Sequence, residues 1–88
     1  MSNNYSIIPI KVNFDEYNQA YEIFFAIKDN ETQQNVYSES VILHLKFIPE
    51  NTMPSQIIQI AYDKIKDKLI NKINEINMFK EIIGKPLN

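Results

Sequence analysis

The stretch from Tyr21 to Ile48 constrains the fold more than any other part of the chain. It contains two apolar segments, Tyr21–Lys28 and Val36–Ile48, joined by the polar run 29–35. Valine, isoleucine, phenylalanine and tyrosine dominate both segments and favour β-strands, whereas the polar residues of the connector favour turns. The pattern predicts a long antiparallel hairpin, which needs a further element to cover its apolar face.

Both strands of this hairpin have one strongly apolar face and one mixed face, because successive side chains point to opposite sides of a strand. The apolar faces consist of Tyr21, Ile23, Phe25 and Ile27 in the first strand and Tyr37, Val41, Leu43, Leu45 and Phe47 in the second. Each mixed face still carries one large apolar side chain, Phe24 in the first strand and Ile42 in the second.

Residues 5–14 predict a further strand that precedes the hairpin. In a regular strand Ile8, Ile10, Val12 and Phe14 would share one side of the sheet. Pro9 has no backbone N–H and would interrupt a central ladder, so we place this strand at an edge of the sheet.

Residues 54–76 predict one long helix that starts with Pro54 in its first turn. At 100° per residue its apolar stripe spans an arc of about 120°. The stripe consists of Ile58, Ala61, Tyr62, Ile65, Leu69, Ile73 and Ile76. Ile57, Ile60 and Ile70 are predicted to project away from this stripe, which suggests a second contact surface on the helix.

The tail, residues 77–88, has two interpretations. Asn74 and Asn77 favour a helix end near residue 76, after which residues 79–83 form a short fourth strand; alternatively, these residues extend the helix. Gly84 and Pro86 end either element. The predicted fold is therefore α+β: a small antiparallel sheet of three strands, or four with the tail, packed against one long amphipathic helix in the order β-β-β-α(-β).

The size and composition of the chain limit its class. Its 88 residues suffice for one domain, residues 1–88, and it contains no cysteine, so neither disulfides nor thiolate metal sites are expected. No segment approaches the roughly 18 apolar residues of a membrane span. The first residues do not combine a basic region with an apolar run, so the expected location is cytoplasmic or virion-associated.

Residues suited to chemistry are sparse. His44 is the only histidine, and Gly84 the only glycine, so neither a metal-ligand cluster nor a phosphate-binding loop is apparent. Ser40 is too far from His44, at roughly 13 Å along an extended strand, to be activated as a nucleophile. We therefore predict a non-enzymatic protein without a catalytic, cofactor-binding or metal site.

Lys64, Lys68 and Lys72 follow one edge of the predicted helix and would suit the backbone of a nucleic acid. Against this, the sequence pI is about 5.3 and arginine is absent. A solvated flank whose methylene groups cover the edge of the core is the favoured interpretation.

The predicted function is binding to protein. Phe24, Ile42, Ile57 and Ile60 together give more apolar surface than one helix can cover, which indicates homo-oligomerisation, a place in a larger assembly or docking to a heterologous protein. The short, arginine-free, isoleucine- and asparagine-rich chain resembles small gene products of bacteriophages and mobile elements. That resemblance implies a structural or assembly component; the alternative is a small inhibitor that blocks a host protein.

Overall fold

A computed structural model describes residues 4–88 of the chain. In this range three strands precede one long helix: β1 (Tyr5–Asp15), β2 (Ala20–Asp29), β3 (Gln34–His44) and α1 (Pro54–Ile82), with a short 3-10 helix (Leu45–Phe47) after β3. The strands form one antiparallel sheet in the order β1-β2-β3. The predicted small α+β fold is confirmed.

The order of the strands in the sheet follows from their residues. β2 lies in the centre, where both of its edges are paired, and its sequence is the most apolar of the three. β1 lies at an edge, as Pro9 predicted, because a proline cannot donate a ladder hydrogen bond. Asp29 ends β2, and its carboxylate accepts a 2.8 Å hydrogen bond from the backbone N–H of Glu31, which stabilises the turn to β3.

The predicted common face of β1 is wrong in its first half. Pro9 pairs with Phe25 but Lys11 pairs with Phe24, so Ile10 is an extra residue in β1. Such a β-bulge shifts the alternation by one residue. Ile8 consequently lies on the sheet face opposite to that of Val12 and Phe14.

The core lies between α1 and one face of the sheet. The largest fully buried side chains of the strands belong to the predicted apolar faces: Ile23, Phe25, Ile27 and Leu43. Ala61, Ile65 and Leu69, spaced four residues apart on α1, are buried against them and confirm the predicted stripe. Burying each large side chain contributes about 1.5–3 kcal/mol to folding.

Of the two interpretations of the tail, the one with a helix end near residue 76 and a fourth strand is wrong, and the one in which the tail extends the helix is confirmed. α1 continues to Ile82. Near its C-terminal end α1 contacts the sheet through Lys80, whose ammonium lies 3.6 Å from the Asp29 carboxylate and 4.8 Å from the centre of the Tyr5 ring. The helix ends before Gly84, whose φ of 88° lies in the left-handed region that favours glycine.

The third strand ends at His44, four residues before the predicted end at Ile48. His44 pairs with Ala20, the first residue of β2, so the sheet offers no regular partner beyond that point. A single hydrogen bond of 2.9 Å from the Leu45 N–H to the Gln19 carbonyl oxygen continues the contact, and the chain then turns into the 3-10 helix.

Candidate protein-binding surfaces

Phe24 and Ile42 lie on the sheet face that points away from α1, here called the open face. Ile42 is 50% exposed. Phe24 is half-buried, and the ammonium of Lys11 lies 5.5 Å from the centre of its ring. The intervening positions are polar, since Ser40 donates a 3.1 Å hydrogen bond to the Glu22 carboxylate. The open face therefore carries isolated apolar side chains in a polar surround.

Ile57 and Ile60 lie on α1, across the sheet from Phe24 and Ile42, so the structure does not bring the four predicted partner-binding residues together. The prediction that Ile57 and Ile60 project away from the core is wrong, because both are half-buried and pack against it. Ile60 also lines a groove together with residues 49–52 of the connector that leads into α1. The connector therefore covers a flank of α1. From the helical period of the sequence alone, this flank was expected to face solvent.

The last two turns of α1 form an apolar surface that was not predicted. Four large side chains between residues 78 and 83 are 55 to 75% exposed. This C-terminal apolar surface consists of Met78, Phe79, Ile82 and Ile83. Glu75, Met78, Phe79 and Ile82 enclose a shallow groove of about 170 Å³. The available signal was the spacing of residues 75, 78, 79 and 82, which continues the helical period beyond residue 76.

A second groove lies where α1 begins. Val12, Tyr21, Ile23, Pro54, Ile57 and Ile58 line its volume of about 320 Å³. Val12 is 47% exposed although it belongs to the core side of the sheet. Beyond it Phe14 packs on Tyr21, with the two ring centres 5.0 Å apart. This end of the sheet extends past the first turn of α1 and keeps part of its apolar face accessible.

The lysine row of α1 is largely engaged with acidic groups. The Lys68 ammonium lies 2.6 Å from the Glu39 carboxylate of β3, and the Lys72 ammonium lies 3.0 Å from Glu75. The Lys68 hydrogen bond lowers the pKa of Glu39, and a second hydrogen bond, which the Tyr37 hydroxyl donates, lowers it further. The Lys68–Glu39 pair connects α1 to β3, the Lys72–Glu75 pair lies within α1, and both leave less positive charge for a phosphate backbone than the sequence implied.

The remaining candidates for chemistry are isolated. His44 is exposed, and its ring centre lies 6.4 Å from that of Phe47 in an edge-on arrangement. Within residues 4–88 no three His, Cys, Asp or Glu side chains are grouped so that they could hold a metal ion. No helix of this range has the length and hydropathy to cross a membrane.

Comparison with known proteins assigns the chain to no family. No protein-family model matches it, and no curated protein or solved structure is significantly similar to it.

Proposed function

We propose that this chain is a non-enzymatic protein-binding module that acts as a small structural or assembly component. The C-terminal apolar surface of α1 is the observation that carries this proposal. Its four side chains, Met78, Phe79, Ile82 and Ile83, are each more than half exposed.

These side chains add little to the core. The buried cluster is complete with residues of the strands and of α1 up to Leu69, and Ile73 and Ile76 pack against its margin. Burying apolar area against a partner contributes roughly 25 cal/mol of favourable binding free energy per Å², from which the costs of association are subtracted. Contiguous exposed apolar surface of this kind usually marks a site of protein interaction.

The surface also has a form that proteins use for recognition. Phe79 and Ile82 are three residues apart, and Met78 precedes them on the same side of α1, so together they present one ridge. A helical ridge with i, i+3 and i+4 anchors suits an apolar groove or another helix. Lys80 holds this part of α1 against the sheet through Asp29, which reduces the ordering that binding requires.

Site-specific photocrosslinking in cells that express the full chain tests the proposal. A photoreactive phenylalanine analogue replaces Ile82 in one variant and Lys66, an exposed residue of α1 outside this surface, in the control. We expect discrete protein adducts from position 82 and none from position 66. Adducts with this chain or with a particle protein support a structural role, whereas adducts with one host enzyme support the inhibitor alternative.

The outcome that contradicts the proposal is equally specific. If position 82 gives no adduct, or the same diffuse adducts as position 66, the C-terminal apolar surface is not a binding site.

A further inference from the structure

The outer edge of β3 carries backbone groups that have no backbone partner within residues 4–88. The Leu45 N–H donates a 2.9 Å hydrogen bond to the Gln19 carbonyl oxygen, one step beyond the pair of Ala20 and His44. Hydrogen-bonded and non-hydrogen-bonded residue pairs alternate along an antiparallel ladder. The odd-numbered residues of β3 from 37 to 43 therefore direct their N–H and C=O groups to β2, and the even-numbered residues from 38 to 44 direct theirs to the outer edge.

The two edges of the sheet differ in how well they are protected against a further strand. β1 carries Pro9, a bulge at Ile10 and the charge of Lys11, three devices that keep a sheet edge from pairing with another chain. β3 has a bulge at Val36 and is then regular over residues 37–44, without a proline or a lysine. The edge of β3 is therefore suited to pair with one more strand.

The lysine row of α1 runs along this edge. The Lys68 ammonium lies 2.6 Å from the Glu39 carboxylate, and the Lys72 ammonium lies 5.1 Å from the centre of the Tyr37 ring. Four helical residues rise about 6 Å, and two strand residues span about 6.6 Å, so the helix and the strand stay in step. Each turn of α1 thus corresponds to two residues of β3.

Lys64 precedes Lys68 by one turn, which places it near Val41. It is exposed, and it forms no ion pair within the described part of the chain, whereas Lys68 is paired with Glu39. One turn further towards the start of α1, the connector 49–52 lines a groove with Ile60. The accessible part of the edge is therefore residues 38–42, with the charge of Lys64 beside it.

We propose that residues 38–42 of β3 bind an extended strand of a partner protein, with an acidic side chain of that strand beneath Lys64. The strand pairs with the outward N–H and C=O groups of Ser38, Ser40 and Ile42. Main-chain pairing of this kind supplies affinity, and individual side chains supply specificity. The acidic side chain lies next to Val41, on the side of the sheet that α1 covers. This edge is separate from the C-terminal apolar surface.

Charge argues against a second copy of this chain as the occupant. Two β3 strands that pair about a two-fold axis at Ser40 would bring Lys64 of one copy beside Lys68 of the other, and symmetry would repeat the contact. Like charges in contact oppose association, whereas an acidic side chain meets Lys64 with complementary charge.

Nuclear magnetic resonance of the full chain with a defined probe peptide tests the pairing. The probe has eight residues, all threonine except one central glutamate, and the matched control peptide has lysine in place of the glutamate. In the free chain the amide hydrogens of Ser38, Ser40 and Ile42 should exchange with solvent quickly, and those of Glu39 and Val41 slowly. The glutamate peptide should slow exchange at the first three and bind about threefold more tightly than the lysine peptide.

Three variants make the test specific. Lys64→Glu should reverse the preference, so that the lysine peptide binds more tightly. Ser40→Pro removes an outward N–H but no hydrogen bond to β2, and it should weaken binding of the glutamate peptide about tenfold while circular dichroism shows a folded chain. Lys66→Glu, outside the lysine row, should leave the preference unchanged.

The proposed pairing is overturned if the glutamate peptide leaves exchange at Ser38, Ser40 and Ile42 unchanged, if the two peptides bind equally well, or if Lys64→Glu does not alter the preference. Should Ser40→Pro prevent folding, Lys64→Glu alone decides. None of these results involves the C-terminal apolar surface, so crosslinking at position 82 tests the proposed function independently.

Discussion

Replacing Phe25 with alanine is expected to lower the free energy of unfolding by about 3–5 kcal/mol. Phe25 is 1% exposed, and the centre of its ring lies 5.9 Å from that of Tyr62 on α1. Alanine would leave a cavity between the sheet and the helix. A domain of this length has a total stability of about 4–13 kcal/mol, so the variant should unfold at a much lower urea concentration.

Phe24→Ala is the matched control, because it removes the same atoms from the neighbouring residue on the open face. Phe24 is half-buried beside Lys11, and we expect a loss of about 1–2 kcal/mol. Urea denaturation followed by circular dichroism measures both variants. Equal losses would mean that the open face is as well covered as the core.

Leu69→Ala should cost about 2–5 kcal/mol, the second-largest effect that we expect. Leu69 is fully buried at the centre of the stripe that α1 presents to the sheet. The next residue, Ile70, is 41% exposed, and Ile70→Ala should cost less than about 1 kcal/mol. Thermal unfolding of the two variants compares adjacent positions of one helix.

The contrast between Leu69 and Ile70 depends on the rotational phase of α1. A rotation of the helix by one residue would exchange the two environments. If Ile70→Ala is the more damaging change, α1 packs on the sheet through a different stripe.

Much of the fold could be predicted because local patterns and tertiary structure agree. The alternation in Tyr21–Lys28 matches the buried face of β2, since Ile23, Phe25 and Ile27 are buried. The period of α1 predicts its buried stripe, and Pro9 predicts an edge strand. In each case a property of the residue itself, its apolar side chain or its missing backbone N–H, determines where it lies in the fold.

The sequence-based predictions were wrong where contacts between residues distant in the sequence are part of the local structure. The bulge at Ile10 depends on how β1 pairs with β2, and the sequence of β1 alone favours a regular strand. The last turns of α1 are held by Lys80 against Asp29 and Tyr5, which are far away in the sequence. Asn77 by itself has only a weak tendency to end a helix.

The candidate site was predictable only in part. Excess apolar surface was expected, and Ile42 is indeed half exposed on the open face. Ile57 and Ile60, however, are half-buried against the core, and the larger exposed surface at Met78 and Phe79 lies in the tail whose helical structure was left open. A prediction of the surface required the end of the helix to be known.

The stability of a variant with Phe79→Gln and Ile82→Gln tests most directly whether the C-terminal apolar surface serves binding instead of folding. Glutamine keeps a high helix propensity and adds no charge. Measured by urea denaturation in dilute solution, its free energy of unfolding should lie within about 0.5 kcal/mol of that of the unmodified chain. A loss of about 2 kcal/mol or more would show that Phe79 and Ile82 belong to the core and would contradict a binding role for this surface.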